Sequence, residues 1–117
     1  MRLNEVSYQG GVHVESYGPG FFRISGEKLD GSLAVLPGGV AEWAGFDDTA
    51  ALIGAKGDID FVLVGTGAEI AQVPAAFRTA LEEAGIGVEI MASPQACRTY
   101  NVLLGEGRRV GLALLPV

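Results

Sequence analysis

The sequence predicts a layered α/β domain on the basis of three observations. Residues 61–64, Phe-Val-Leu-Val, form a continuous apolar run, which is typical of a strand covered on both faces. From residue 60 to residue 115 the predicted strands and helices alternate, as they do in layered α/β sheets. Before this part, two segments that alternate apolar and polar residues predict a β-hairpin added to an edge or face of the sheet.

The N-terminal part predicts a short lead-in followed by this hairpin. Residues 1–11 show little periodicity and are expected to be mobile or to lie along an edge, which makes residues 12–117 a single domain. The first alternating run begins at Val12 and the second covers residues 22–25. Gly18-Pro19-Gly20 between them is predicted to be the turn.

The segment between the hairpin and the central strand predicts one more strand and one short helix. Residues 33–36 resemble a second covered strand, which Pro37 ends because proline donates no hydrogen bond to a sheet. Trp43 follows in a loop or short turn. Asp47 is predicted to cap a short helix that Gly54 closes.

The second half of the chain predicts two helices that alternate with strands. The apolar spacing predicts a helix from Pro74 to Gly85 and another from Ser93 to Gly105. Strands are predicted at residues 88–91 and 109–115. Ser93 followed by Pro94 is the pattern of a capping serine and a proline in the first turn.

Composition excludes several classes of partner and compartment. The chain has 117 residues, a net charge of −6 and a pI near 4.6, and its eight basic residues are scattered, which argues against nucleic acid. The first residues lack the apolar core of a signal peptide, and no window approaches the ~20 apolar residues of a membrane helix. We therefore expect a cytoplasmic protein without membrane insertion.

The chain offers few residues for catalysis or metal binding. Its single cysteine, Cys97, excludes an intrachain disulfide, and its single histidine, His13, lies in the hairpin. The sequence shows no nucleophile–base pair and no metal-ligand spacing. Cys97 is predicted to be buried and inert; the alternative is a thiol acidified by the helix N-terminus and by Arg98.

The candidate site is the loop after the central strand. Ligands of open α/β sheets gather outside the carboxyl ends of the strands, so Gly65, Thr66 and Gly67 are candidate ligand-binding residues. A dinucleotide fingerprint would need glycine where Ile70 stands, so a tight turn is the competing interpretation. Ser93 is expected beside this loop, either as a helix cap or as an anion ligand.

Two further features admit both a structural and a functional interpretation. Asn101 is placed among inward-facing residues, so it either ties its helix to a neighbouring backbone, such as the Gly65–Gly67 turn, or lines a cleft as a candidate ligand-binding residue. Glu106, Arg108 and Arg109 are expected to form a solvated edge; the alternative is an arginine that binds an anion or an acidic partner.

Several segments together resemble one uncharacterised domain family. Its members include small bacterial proteins and the mitochondrial assembly factor three of respiratory complex I. The resemblance runs from about residue 17 to residue 115, and Trp43 after a strand and loop also fits it. The segments that carry it are Val64-Gly65-Thr66-Gly67, Gly85-Ile86-Gly87-Val88-Glu89, Ala96-Cys97-Arg98-Thr99-Tyr100-Asn101 and Glu106-Gly107-Arg108.

This resemblance implies a three-layer fold with a central mixed, mostly parallel sheet whose last strand runs antiparallel to the rest. The alternation of elements by itself predicts a parallel last strand. The resemblance implies no catalytic residue and no cofactor.

The resulting hypothesis is a non-enzymatic binding or assembly-accessory module with a protein partner. The alternative is a small-molecule or anion-binding protein, or a weak enzyme, with its crevice at the Gly-Thr-Gly loop. Self-association through an apolar hairpin surface at Phe21 and Phe22, or through an uncovered strand edge, is a third interpretation.

Overall fold

The computed structural model describes residues 12–117, which form eight strands and three helices. The predicted lead-in at residues 1–11 lies outside the described residues. The strands are β1 (Val14–Gly18), β2 (Phe21–Ile24), β3 (Glu27–Asp30), β4 (Leu33–Leu36), β5 (Gly39–Glu42), β6 (Phe61–Thr66), β7 (Gly87–Met91) and β8 (Val110–Leu115). The helices are α1 (Ala50–Gly54), α2 (Ala75–Glu83) and α3 (Ser93–Gly105).

Five strands form a mixed central sheet in the order β5-β4-β8-β6-β7. Strand β6 pairs in parallel with β7 and with β8, whereas β4 pairs antiparallel with β8 and β5. The expectation that the last strand runs antiparallel to the rest is therefore wrong, and the prediction from alternation is right. A helical crossover such as α3 joins parallel strands, because it returns the chain to the edge where the previous strand began.

The N-terminal addition is a three-stranded antiparallel sheet, β1-β2-β3, rather than a hairpin alone. Strand β3 was not predicted, because three of its four residues are charged and only Leu29 is half-buried. Of the aromatic pair expected at a self-association surface, Phe22 is fully buried and Phe21 is half-buried, with the Lys28 ammonium 5.0 Å from the centre of the Phe21 ring. The oligomeric state remains a prediction.

The central sheet is covered on both faces. On one face, Val62 and Val64 of β6 pack with residues of α1 and α2 and with Trp43. On the other face, Leu63 packs with α3 and with the N-terminal sheet. Strand β6 lies between two other strands and its middle residues are buried, which confirms the predicted covered strand and the three layers.

The ends of α1 and α2 differ in how well the sequence predicts them. The predicted cap of α1 is wrong: Thr49 is the N-cap residue, while the neighbouring Asp48 accepts a hydrogen bond from the Ala44 N–H at 2.9 Å. Pro74 precedes α2, and Gly85 follows its end with a φ of +86°, a conformation that favours glycine. Within residues 12–117, none of the helices has the length and hydrophobicity that crossing a bilayer requires.

Candidate functional site

Two hydrogen bonds join the end of β6 to the start of α3, and a third joins α3 to β8. The Gly67 N–H donates to the Ser93 Oγ at 2.9 Å, and the Ser93 N–H donates to the Gly67 carbonyl at 2.8 Å. The Ser93 hydroxyl donates to the Leu115 carbonyl at 2.7 Å, which adds the end of β8 to the same junction. The predicted meeting of the glycine loop with Ser93 is confirmed.

Gly65 and Gly67 make this close approach possible. A Cβ atom on Gly65 would lie 2.6 Å from the Ser93 Oγ and 2.7 Å from the Ser93 Cα, closer than van der Waals contact allows. Gly67 has a φ of +110°, which other residues rarely adopt. The two glycines therefore allow the end of β6 to pack directly against the start of α3.

Ser93 does not cap its own helix. The N-cap residue is Ala92, and α3 has no side-chain cap; the N–H of Ser93 in its first turn is instead satisfied by the Gly67 carbonyl. The prediction of a capping serine is wrong, because Ser93 lies one position inside the helix and its hydroxyl points to the sheet. Ser93 is fully buried, and its hydroxyl both donates and accepts within the chain, so a ligand would have to displace these bonds.

Thr66 shapes the loop that leads from β6 to α2. Its hydroxyl accepts a hydrogen bond from the Ala71 N–H at 2.9 Å and lies 2.9 Å from the Glu69 carbonyl, to which it donates. The Met91 carbonyl is a second acceptor at 3.3 Å. Between these bonds, Ile70 is held outward and is 66% exposed.

Asn101 lies apart from the glycine loop. It is eight residues beyond Ser93, which corresponds to ~12 Å along the helix axis. Its side-chain oxygen accepts from the Val14 N–H at 2.9 Å, and its side-chain nitrogen donates to the Val14 carbonyl at 2.9 Å. The prediction of a tether to a neighbouring backbone is confirmed, but the suggested partner is wrong: Asn101 holds β1 rather than the loop. Of the five candidate residues, the structure brings together Gly65, Thr66, Gly67 and Ser93.

Two titratable groups on α3 are buried. Burial raises the pKa of the Cys97 thiol to about 12, against a smaller lowering effect of Arg98, so the thiol is protonated at neutral pH. Burial also raises the pKa of Tyr100 well above its usual range. The Tyr100 hydroxyl has no hydrogen-bond partner among the described residues. The prediction that Cys97 is buried is confirmed; its reactivity remains a prediction.

The charged residues near the start of β8 form a solvated edge, as predicted. Glu106, Arg108 and Arg109 are all exposed. Arg109 forms an ion pair with Asp60 at 3.2 Å and also donates to the Gly57 carbonyl at 3.1 Å. The Arg108 guanidinium lies 5.2 Å from the centre of the Phe61 ring, so both arginines bind neighbouring parts of the chain.

Comparison with known proteins identifies one family. A family model described as a protein of unknown function (DUF498/DUF598) matches residues 14–115. An uncharacterised protein of Rhodobacter capsulatus is 45% identical over all of this chain and 94% of its own length. The rat protein named NADH dehydrogenase [ubiquinone] 1 alpha subcomplex assembly factor 3 is 35% identical over 97% of this chain, which spans 65% of that protein.

A solved structure has the same fold. The crystal structure of a protein from Bartonella henselae, described as an outer membrane protein, matches with a TM-score of 0.84 and 31% identity. The match covers 94% of this chain and 98% of that one, so it includes both the central sheet and the N-terminal sheet.

Proposed function

We propose that this chain, which belongs to the family of proteins of unknown function DUF498/DUF598, is a non-enzymatic accessory module. An assembly factor is similar to this chain over nearly the whole length of the chain. In this proposal the chain binds a protein partner while a larger complex is assembled. The observation that carries the proposal is the similarity to assembly factor 3, which extends over 97% of this chain. The natural first candidate for the complex is an NADH dehydrogenase.

The chemistry at the junction supports a binding role. The Gly67 N–H and the Ser93 hydroxyl, the polar groups that a substrate would need, are bonded to each other. The Cys97 thiol is buried and protonated, which disfavours nucleophilic catalysis. A protein-binding module needs a shaped surface rather than a reactive group, and the loop that Thr66 organises supplies one.

Binding of an anion or small molecule at the glycine loop and Asn101 remains a prediction. It would require the Gly67 N–H to exchange Ser93 for the ligand, and Asn101 to release Val14 or to act at a separate place. Titration with ATP, NAD and FMN, followed at the backbone amides of residues 65–68, tests it. Shifts confined to these amides would favour this alternative over the accessory module.

Deletion of the gene in its source organism tests the accessory role. We expect less assembled NADH dehydrogenase on native gels and lower NADH:ubiquinone oxidoreductase activity, both restored by the wild-type gene. The levels of the individual subunits are measured in parallel, because lost expression would mimic lost assembly. Normal assembly of the complex in the deletion strain would overturn the assignment to NADH dehydrogenase.

A further inference from the structure

The segment of residues 68–76, which contains the loop after β6 and the first residues of α2, exposes several apolar residues. Ile70 within it is 66% exposed. An exposed apolar stretch of this kind is a common feature of interaction surfaces. The other exposed apolar residues of the segment are Ala68, Ala71, Pro74, Ala75 and Ala76.

The shape of this segment is set by the protein itself. Thr66 binds the backbone of Glu69 on one side of Ile70 and that of Ala71 on the other, each at 2.9 Å. Val73 packs against the core and anchors the far end. Ile70 is therefore presented outward by a pre-ordered loop, which lowers the entropy lost when a partner binds.

The segment itself carries a negative charge. Glu69 lies beside Ile70 and is the one charged residue of the segment, whereas Glu83 is exposed at the other end of α2. The nearest cation in the sequence, Arg78, is already paired with Glu82 at 3.2 Å and reaches the Val88 carbonyl at 3.5 Å. In a chain of net charge −6, this carboxylate favours a cationic partner over a second copy of the chain or an anionic bilayer.

We propose that residues 68–76 dock a protein segment whose apolar side chains are flanked by lysine or arginine, with Ile70 as the apolar anchor. This inference rests on the proposed function, since it names the chemistry of the partner that the accessory module binds. Apolar contact at Ile70 supplies affinity, and the Glu69 carboxylate together with the net negative charge of the chain selects partners of positive charge and speeds association.

The test is a titration of the full chain with two fluorescein-labelled amphipathic peptides. One contains leucine and lysine, and its matched control has glutamate in place of lysine. Fluorescence polarisation gives the Kd, and backbone amide shifts locate the contact. Ile70→Asp is the test variant, and Val102→Asp is its matched control, because Val102 is 59% exposed on α3.

We expect the lysine peptide to shift the amides of residues 68–73 and the glutamate peptide to bind far more weakly. Ile70→Asp should raise the Kd about tenfold or more even though it adds negative charge, because the apolar anchor is lost. Val102→Asp should leave the Kd within about twofold, since distant sites act independently. Added salt should weaken binding.

Four results of the titration would overturn the proposal. These are an absence of shifts in residues 68–73 at millimolar peptide, equal binding of the glutamate peptide, an equal loss in Val102→Asp, and an Ile70→Asp variant that binds as the wild type does. Two further measurements test the competing occupants. Binding to phosphatidylglycerol vesicles tests a membrane, and light scattering tests a second copy of the chain. Ile70-dependent binding to vesicles, or an Ile70-dependent dimer, would also overturn it.

The deletion strain separates this inference from the proposed function. If Ile70→Asp restores assembly as fully as the wild type does, the docking segment is wrong and the accessory role stands. If the deletion leaves assembly intact, the accessory role in NADH dehydrogenase is wrong, and peptide binding is judged by the titration alone.

Discussion

Two neighbouring regions at the end of strand β6 differ in their exposure to solvent. At the junction, Gly65, Gly67 and Ser93 are buried, and the serine hydroxyl is satisfied by backbone groups. Immediately after it, residues 68–76 hold apolar side chains out to solvent, with Ile70 the most exposed of the large ones. Thr66 lies between the two regions and bonds to the backbone of the exposed loop.

This difference shows that a glycine loop at the carboxyl end of a strand can hold a helix against the sheet as well as bind a ligand. Open α/β sheets often bind ligands at this place through backbone N–H groups. Here the N–H of Gly67 is bound by Ser93, and the carbonyl of Gly67 satisfies the first turn of α3. The surface that remains for a partner is therefore the segment that follows the loop.

The largest expected effect is that of Gly65→Ala, which would force the junction apart. The added methyl group meets the Ser93 Cα at 2.7 Å and the Leu114 side chain at 2.8 Å, and backbone cannot yield as a flexible side chain can. We expect the free energy of unfolding in urea to fall by about 3 kcal/mol.

Gly105→Ala, at the end of α3, is the control for Gly65→Ala. A Cβ atom there meets nothing within 4 Å, so this change should be neutral or stabilising by up to about 1 kcal/mol. Equal stability of the two variants would show that β6 and α3 do not meet as described.

Ser93→Ala should have the next largest effect. It removes the hydroxyl and leaves the buried Gly67 N–H and one hydrogen bond of the Leu115 carbonyl unsatisfied, at a cost of about 2 kcal/mol. Urea unfolding measures the loss, and Gln95→Ala, on the exposed side of the same helix, should stay within about 0.5 kcal/mol of wild type. A Ser93→Ala variant of full stability would mean that these hydrogen bonds do not stabilise the junction as described.

Asn101→Leu tests a similar tether at a site that is more exposed to solvent. Both of its hydrogen bonds to Val14 are lost, but the site is only part-buried, so water replaces some of them and we expect a loss of about 1 kcal/mol. Amide hydrogen exchange should speed up at Val14 and in its strand more than in β6. Uniform exchange across both sheets would indicate that Asn101 does not hold the N-terminal sheet.

The sequence predicted the central layers because their patterns are local. A continuous apolar run at residues 61–64 requires cover on both faces, and the alternation of strands and helices predicted the parallel direction of β8. Strands β3 and β5 were missed for physical reasons. The first is largely charged and lies at an edge, and the second follows a Pro-Gly-Gly turn that resembles the end of a strand.

The junction was predicted only in part, because its contacts depend on tertiary distance. The sequence placed Ser93 beside the glycine loop, but a cap and a first-turn residue differ by one position, and the hydroxyl acts on a residue 26 positions earlier. In the sequence, Ile70 is notable only as the residue that breaks a nucleotide fingerprint. The signal in Ala68-Glu69-Ile70-Ala71-Gln72 is an isoleucine in a stretch without helical or strand periodicity.

The smallest expected effect is that of Ile70→Ser on stability, and it completes the contrast with the junction. A side chain that is 66% exposed loses little burial when it is shortened, so the free energy of unfolding should change by less than about 0.5 kcal/mol. Leu63→Ala, in the covered strand, is the matched buried change and should cost about 3 kcal/mol. A loss in Ile70→Ser as large as that of Ser93→Ala would mean that Ile70 stabilises the fold. Its exposure would then have to be explained without a partner.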